Sequence, residues 1–322
     1  MFLQNIIAVI WDFDKTLSPQ YMQKPIFDAY KVDDKRFWSE VNSLAAYYRQ
    51  VGVNIHEDTC YLGHLLSYVR HGEMAGLSNA KLQELGAEID LFPGLPECFE
   101  RLKSILDTDE FREGDLRLEH YVVSTGLEAM IRGSRIADSV DGIWASAFIE
   151  EPARPEEDFS ATPRRGEITQ IAGALDNTTK TRAIFEINKG VNKEPSISVN
   201  DTIDQSDRRV PFENMIYIAD GPSDIPSFSV VQGHGGLTYA VYDERSDEHF
   251  RQAEKLHASG RVHYFGVADY EKGSQTDRWL SLKISEMAQR IMKERDLATK
   301  SRVLPAPVHL PDRDTEESSS TA

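Results

Sequence analysis

The sequence has few cysteines, a deficit of positive charge and no long apolar run. Its two cysteines, Cys60 and Cys98, lack the C-x-x-C spacing of zinc sites and are too few for a disulfide framework, so a reducing compartment is expected. With 36 Lys and Arg against 53 Asp and Glu, the formal net charge is −17, which disfavours nucleic acid and anionic membranes as partners because both would repel the chain. No run approaches the roughly 20 apolar residues of a membrane span, and the first residues lack the basic region and cleavage site of a signal peptide. Together these absences predict a cytoplasmic location.

The composition is that of an ordinary globular protein, with 40% apolar and 28% charged residues in a chain of 322. Segments with helical periodicity, such as 96–106 and 127–136, lie between short apolar runs typical of buried strands. Those runs occupy residues 6–11, 120–123, 143–148, 215–219 and 237–241, with an expected edge strand at 262–267. This alternation predicts an α/β fold with a doubly wound, mainly parallel, Rossmann-like sheet.

A long segment separates the first two predicted strands. About a hundred residues lie between them, far more than an ordinary strand-to-helix connection needs, so an inserted unit is expected. Its apolar residues recur with helical spacing in three stretches. Asp33 or Asp34 is the predicted N-cap of the first helix, and Ser78 or Asn79 is that of the third. The insertion is therefore predicted to be a helical domain over residues 19–91.

The remaining residues are predicted to form a core domain and a tail. The core comprises residues 1–18 and 92–295. Within it, the segments 151–165 and 193–209 combine prolines or polar residues with little periodicity, so they are predicted to be surface loops. Residues 296–322 join prolines to a run of Glu and Ser, a composition typical of disorder.

Two of the predicted strands end in carboxylates. Asp12 and Asp14 follow the first strand, and Asp220 and Asp224 follow the strand at 215–219. Ligands of open α/β sheets bind at the carboxyl ends of strands, and crowded carboxylates repel one another unless a cation or a shared proton offsets their charge. Asp12, Asp220 and a backbone carbonyl near Asp14 would suit octahedral Mg²⁺. Either acidic pattern alone is also typical of a solvated turn.

Two other segments predict phosphate binding. Ser124, Thr125 and Gly126 follow the second strand at the expected start of a helix, where backbone N–H groups and a hydroxyl favour an anion. A simple helix N-cap is the alternative. Lys180 is expected in the first turn of a later helix, where the helix dipole disfavours a cation unless an anion or a carboxylate lies nearby. A solvent-exposed lysine is the alternative there.

The sequence resembles the haloacid dehalogenase (HAD) superfamily in four motifs that occur in the order of that family, namely Asp12-x-Asp14-x-Thr16, Ser124, Lys180 and Asp220-Gly221-x-x-Asp224. The resemblance covers residues 6–224, and the helical insertion is similar to the C1 cap of the phosphoserine-phosphatase-like branch. Ala219 departs from the pattern, because many members have glycine before the first aspartate of the fourth motif. The long segment after Ser124 leaves Lys189 as an alternative to Lys180.

The resemblance implies an Mg²⁺-dependent phosphatase that hydrolyses a small phosphorylated metabolite through an aspartyl-phosphate. It implies that Asp12 is the nucleophile and that Asp14 protonates the leaving oxygen before acting as a base. It further implies a metal site formed by Asp12, Asp14, Asp220 and Asp224. It implies a phosphate site formed by Ser124, Thr125, Gly126 and Lys180, and it implies that the hydroxyl of Thr16 positions the catalytic loop. The alternatives are a phosphotransferase or phosphomutase on the same site, and a non-catalytic protein of this fold that binds a metabolite or a partner.

The substrate would be selected by the insertion. Tyr21, Gln23 and Lys24 lie closest in sequence to Asp14, so they are the first candidates to reach a leaving group, with a plain hinge role as the alternative. The sequence indicates neither the substrate nor the oligomeric state.

Overall fold

A computed structural model of the protein describes the backbone of residues 3–302 and the side chains of residues 3–297. Within these residues, seven strands form one sheet in the order β4-β3-β2-β1-β5-β6-β7. The strands are β1 (Ile6–Trp11), β2 (Arg117–Leu127), β3 (Gly142–Ile149), β4 (Gln170–Gly173), β5 (Met215–Ala219), β6 (Leu237–Tyr242) and β7 (Tyr264–Val267). Neighbouring strands are parallel except for β3 and β4. The predicted mainly parallel α/β sheet is therefore confirmed.

Helices flank the sheet and fill the insertion. They are α1 (Lys24–Tyr30), α2 (Asp34–Arg49), α3 (Cys60–Arg70), α4 (Asn79–Gly86), α5 (Glu97–Lys103), α6 (Asp109–Glu113), α7 (Glu128–Gly133), α8 (Lys180–Lys189), α9 (Ile225–Gly233), α10 (Asp247–Ala258) and α11 (Gln275–Arg302). Short 3-10 turns such as Ser104–Leu106 and Pro222–Asp224 connect some of them.

Both faces of the sheet are covered, which confirms the doubly wound arrangement. Successive residues of a strand point to opposite faces, so β1 contributes Ile7, Val9 and Trp11 to one apolar core and Ile6, Ala8 and Ile10 to another. Helices α5, α7 and α11 pack into the first core, and α8, α9 and α10 pack into the second. The continuous apolar sequence of β1 follows from its burial on both faces.

The register of the central strands brings three carboxyl ends together. Trp11, the last residue of β1, pairs with Val122 of β2 on one side and with Ile218 of β5 on the other. The residues that follow β1 and β5 therefore emerge at one edge of the sheet, beside residues 123 and 124 within β2. This edge is the place where the predicted acidic and hydroxyl residues meet.

The insertion between β1 and β2 holds four helices, α1 to α4, one more than predicted. Asp33 caps α2 by accepting hydrogen bonds from the backbone N–H groups of Lys35 and Arg36, and Ser78 caps α4 by accepting from that of Lys81. These contacts settle the two N-caps left open by the sequence. Helix α1 has only seven residues, too few for a periodic pattern to stand out.

Helix α4 of the insertion packs closely on α7 of the core. A Cβ atom at Gly133 would lie 1.7 Å from the carbonyl oxygen of Gln83, and one at Gly86 would lie 2.1 Å from that of Met130. Only glycine allows the two backbones to approach so closely. The insertion is thus attached to the core at its last helix as well as at its first residues.

Two strands differ most from the sequence prediction, whereas β3, β6 and β7 differ by one or two residues at their ends. Strand β4 has no predicted counterpart, because its four residues are mostly exposed at the sheet edge and carry little apolar signal. Strand β2 is longer than predicted, because polar residues at its ends find partners within the structure. Glu119, for example, forms an ion pair with Arg209, with 2.5 Å between their closest atoms.

The structure agrees with the two predicted loops and differs from part of the predicted disordered tail. Residues 151–165 contain no helix or strand, and residues 193–209 contain only the 3-10 turn Gln205–Asp207. Helix α11 continues to Arg302, so the first part of the predicted disordered segment 296–322 is helical. Residues 303–322 lie outside the described residues. Up to Arg302, the structure contains no helix whose length and apolarity would suit a membrane span.

Candidate active site

Asp12 lies at the centre of the sheet edge. Its backbone N–H donates to the carbonyl of Ile218 at 2.9 Å, which extends the pairing of β1 with β5 by one residue. Its side chain is buried and accepts hydrogen bonds from Lys180 Nζ at 2.6 Å and from the hydroxyl of Thr16 at 3.3 Å. Burial raises the pKa of Asp12 to about 6, and the positive charge of Lys180 opposes this rise. The carboxylate is therefore oriented from two sides.

Lys180 joins two of the motifs. It begins α8, as predicted, and its ammonium lies 2.6 Å from Asp12 Oδ1 and 2.8 Å from Asp224 Oδ1. Burial disfavours the ammonium, but the two carboxylates outweigh that effect and raise the pKa of Lys180 well above its ordinary value. Lys189, the alternative, instead donates to the carbonyls of Val199 and Asp201. The contacts at the site favour Lys180.

The carboxylates of the fourth motif lie beside Asp12. One oxygen from each of Asp12, Asp220 and Asp224 lies within 4.8 Å of the others. Burial and the negative charges of Asp12 and Asp224 raise the pKa of Asp220 well above its ordinary value, and the positive charges of Lys15 and Lys180 oppose this rise only in part. Buried carboxylate oxygens are the ligands that Mg²⁺ prefers, so the donor set fits a divalent cation.

Asp224 is held rigidly within this cluster. It is fully buried, and its Oδ1 accepts from Lys180 and, at 2.6 Å, from the hydroxyl of Tyr217. Its Oδ2 accepts from Ser223 at 2.9 Å. Gly221 of the same motif has an extended backbone (φ −154°, ψ −173°) that other residues also adopt. A Cβ there would lie 2.6 Å from Nε2 of Gln252, the end of a flexible side chain that donates to the carbonyl of Asp220 at 3.3 Å.

Asp14 lies apart from the three-carboxylate cluster. Its Oδ1 accepts a hydrogen bond from the backbone N–H of Met22 at 2.9 Å. Burial and the negative charge of Asp12 raise its pKa to about 7. At neutral pH such a group exists in both protonation states, as a proton donor and acceptor must. Of the four predicted metal ligands, the structure brings together the side chains of Asp12, Asp220 and Asp224.

The predicted phosphate-binding residues Ser124, Thr125 and Gly126 lie within β2, and α7 begins only at Glu128. The expectation that Ser124 stands at the start of a helix is therefore wrong. Ser124 is buried, and its hydroxyl accepts from the N–H of Gly126 at 3.0 Å. A Cβ at Gly126 would lie 2.2 Å from Cε of Met22, so a side chain at this position would have to displace the end of Met22.

The insertion covers this end of β2. The Sδ atom of Met22 accepts from the N–H of Leu127 at 3.0 Å, and the hydroxyl of Tyr61 in α3 donates to the carbonyl of Thr125 at 2.8 Å. Asp12, Ser124 and Lys180 are at most 5% exposed beneath it. The described conformation is therefore closed.

Three tyrosines that the motifs did not predict also contact residues of the site. Tyr217 and Tyr61 contact Asp224 and Thr125, and Tyr270 donates to the carbonyl of Thr16 at 2.6 Å, which fixes the loop after β1. One signal was present in the sequence: Tyr217 interrupts the aliphatic strand Met215–Ala219, and a buried phenol needs a hydrogen-bond partner. Tyr61 and Tyr270 lie far from the motifs in sequence and carry no such signal.

Comparison with known proteins finds one close relative in sequence. An uncharacterized protein of Borreliella burgdorferi is 37% identical over 290 residues, which cover 87% of this chain and 97% of the relative. No protein-family model matches the sequence.

Solved structures are similar at lower levels. A probable phosphoserine phosphatase of Vibrio cholerae is 15% identical, with a TM-score of 0.46 over 90% of this chain and 68% of the other. A HAD family hydrolase of Salmonella enterica serovar Typhi is 12% identical, with a TM-score of 0.45 over 81% of this chain and 66%, just under two thirds, of the other. At these levels of similarity, the function has to be inferred from the residues of the site.

Proposed function

The chain belongs to the same family as the uncharacterized Borreliella burgdorferi protein, and we propose that it is an Mg²⁺-dependent phosphatase that hydrolyses a small phosphomonoester through an aspartyl-phosphate. One observation carries the proposal. Lys180 bridges Asp12 and Asp224 in a buried site, with the carboxylate of Asp220 beside them. The resemblance of the four motifs to the HAD superfamily supports the same chemistry.

Asp12 is the proposed nucleophile. Its carboxylate attacks the phosphorus atom, the bond to the leaving oxygen breaks, and an aspartyl-phosphate forms. The hydrogen bonds from Lys180 and Thr16 orient the carboxylate for this attack. A carboxylate nucleophile divides the hydrolysis into two displacements, each easier than direct attack by water.

Asp14 is the proposed acid and base. Its carboxyl group gives a proton to the leaving oxygen, and it then accepts a proton from the water that hydrolyses the aspartyl-phosphate. The N–H of Met22 fixes its orientation in the closed conformation. Its separation from the three-carboxylate cluster leaves the side chain free for proton transfer.

The remaining groups bind charge. Asp12, Asp220 and Asp224 would hold the cation, which when bound neutralises phosphate charge and acts as a Lewis acid. The hydroxyl of Ser124, the backbone of Thr125 and Gly126, and Lys180 would bind the phosphate oxygens. The closed insertion excludes water that would otherwise compete for these contacts.

The proposal is tested by assaying the purified protein on a panel of phosphomonoesters, with EDTA and then with excess Mg²⁺. We expect turnover that EDTA removes and Mg²⁺ restores, and a loss of about 10⁴-fold or more in Asp12→Asn. Asp28→Asn changes an exposed aspartate of α1 and is the matched control, with activity near that of the wild type. Full activity in metal-free buffer, or in Asp12→Asn, would contradict the proposed mechanism.

A further inference from the structure

Three side chains that follow Asp14 closely in sequence were expected to reach a leaving group. The structure places them in different surroundings. Tyr21 is 48% exposed, and its ring packs beneath the ammonium of Lys15. Lys24 forms an ion pair with Asp28 at the surface. Gln23, in contrast, is 2% exposed. Only Gln23 of the three is enclosed with the site.

Gln23 lies between the loop after β1 and the end of β2. It follows Met22, whose N–H donates to the proposed acid Asp14. Its side chain lies beside the hydroxyl of Tyr61, and that hydroxyl donates to the carbonyl of Thr125 at the end of β2. The carboxamide therefore lies beside the hydroxyl that contacts Thr125, and it belongs to the residue that follows the backbone contact of Asp14.

The amide oxygen of Gln23 has no hydrogen-bond partner. Oε1 is buried, and no donor among the described residues reaches it. Leaving a buried acceptor unpaired is unfavourable, and native structures seldom tolerate it without a ligand or a functional reason. An acceptor in this position suits a ligand that brings its own N–H or O–H group.

We propose that Gln23 determines substrate specificity by accepting a hydrogen bond from the leaving alcohol. This inference rests on the proposed phosphatase function. It assigns the substrate to small phosphomonoesters whose alcohol carries a hydroxyl or ammonium group on the carbon next to the ester carbon. Alkyl phosphates would leave Oε1 unpaired, and a carboxylate on the leaving group would place an acceptor against an acceptor.

The test compares four substrates of similar size. Glycerol 1-phosphate and phosphoethanolamine carry the required donor, n-propyl phosphate lacks it, and phosphoglycolate replaces it with a carboxylate. We expect the wild type to prefer the donor-bearing pair in kcat/KM by about 10- to 100-fold, the ratio that corresponds to leaving one buried acceptor unpaired. In Gln23→Met, which keeps the side-chain length without its polar atoms, the preference should fall to within about threefold.

Two further variants make the result specific. Gln50→Met alters an exposed glutamine at the end of α2 and should leave the ranking unchanged. Gln23→Glu keeps an acceptor oxygen, so it should still prefer the donor-bearing pair and should favour phosphoethanolamine more strongly within that pair. This variant tests the inference even if Gln23→Met folds poorly.

The outcomes that overturn the inference are distinct from those that overturn the function. If the wild type turns over the panel but Gln23→Met lowers kcat/KM equally for all four substrates, or keeps the wild-type ranking, Gln23 does not accept a hydrogen bond from the leaving alcohol. If the wild type hydrolyses none of the four while other phosphomonoesters are hydrolysed, the substrate class is wrong. If no phosphomonoester is hydrolysed at all, the proposed function itself fails, and the inference with it.

Discussion

At the scale of single residues, Lys180 controls the electrostatics of the site. A buried ammonium without partners would lose its charge, but the carboxylates of Asp12 and Asp224 retain it. Removing one partner of a buried ion pair costs about 3–5 kcal/mol, because the other charge is left uncompensated. The three side chains therefore hold one another in place, which provides a fixed geometry for a reaction at Asp12.

His120 gives a residue-scale prediction for stability. It is fully buried in β2, accepts a hydrogen bond from Trp11 Nε1 at 3.2 Å, and donates from Nε2 to the carbonyl of Phe99 at 3.1 Å. Burial lowers its pKa from 6.5 to about 3, so the unfolded chain binds the proton at a higher pH than the folded protein does. As the pH falls below about 6.5, this histidine should lower the free energy of unfolding by up to about 1.4 kcal/mol per pH unit.

The measurement is urea unfolding between pH 7 and pH 5 for the wild type and for His120→Gln, which cannot take up that proton. The raised pKa values of Asp12 and Asp14 act in the opposite direction, but they are present in both proteins and cancel in the comparison. We expect the two stabilities to converge as the pH falls. Parallel pH profiles for the two proteins would show that His120 titrates normally in the folded state.

Which single residues could be predicted depended on local rules. Asp12 and Asp220 follow predicted strands directly, and the carboxyl ends of parallel strands meet at one edge, so their proximity follows from the sequence. The contacts of Tyr61 and Tyr270 could not be predicted, because their partners lie far away along the chain. Nor does the sequence show that Gln23 is buried while Tyr21 is exposed, because the difference depends on the packing of the insertion.

At the scale of elements, the contact of α4 with α7 is the critical joint between the insertion and the core. Gly133 approaches the backbone of Gln83 so closely that a methyl group would overlap its carbonyl. Gly133→Ala should therefore destabilise the protein by about 1–3 kcal/mol, the usual cost of overpacking. The change is measured as a shift of the urea midpoint.

A second glycine provides the control. Gly63 lies on an exposed face of α3, where a Cβ would meet no atom within 4 Å. Gly63→Ala should stabilise the protein by about 0.5–1 kcal/mol, because alanine has the higher helix propensity. If Gly133→Ala raised the midpoint as Gly63→Ala is expected to do, propensity rather than the α4–α7 contact would govern Gly133.

Elements with a strong repeating signal were predictable and short ones were not. Strands β1 and β5 have the predicted bounds, because every residue in them is buried and apolar or aromatic. Helix α1 and strand β4 are too short, and β4 too exposed, to produce a pattern. The end of β2 was misplaced, because the strand continues through the polar residues Ser124 and Thr125.

At the scale of the whole molecule, the insertion shares its apolar core with one face of the sheet. Leu62 of α3 and Leu82 of α4 belong to the same buried cluster as Trp11 of β1. Because the core is shared, the domain boundaries predicted at residues 19 and 91 remain a prediction. Any opening of the site must break the contacts of Met22 and Tyr61 with the end of β2.

The central claim about the molecule is that Asp12 becomes phosphorylated during turnover. The most direct measurement is to quench the enzyme in acid while it hydrolyses a substrate, reduce it with borohydride, and analyse its peptides by mass spectrometry. Borohydride converts an aspartyl-phosphate to homoserine and leaves a free aspartate unchanged. The account predicts homoserine at position 12 only in samples quenched during turnover. Turnover with Asp12 unmodified, or with the label at Asp14 or Asp220, would contradict it.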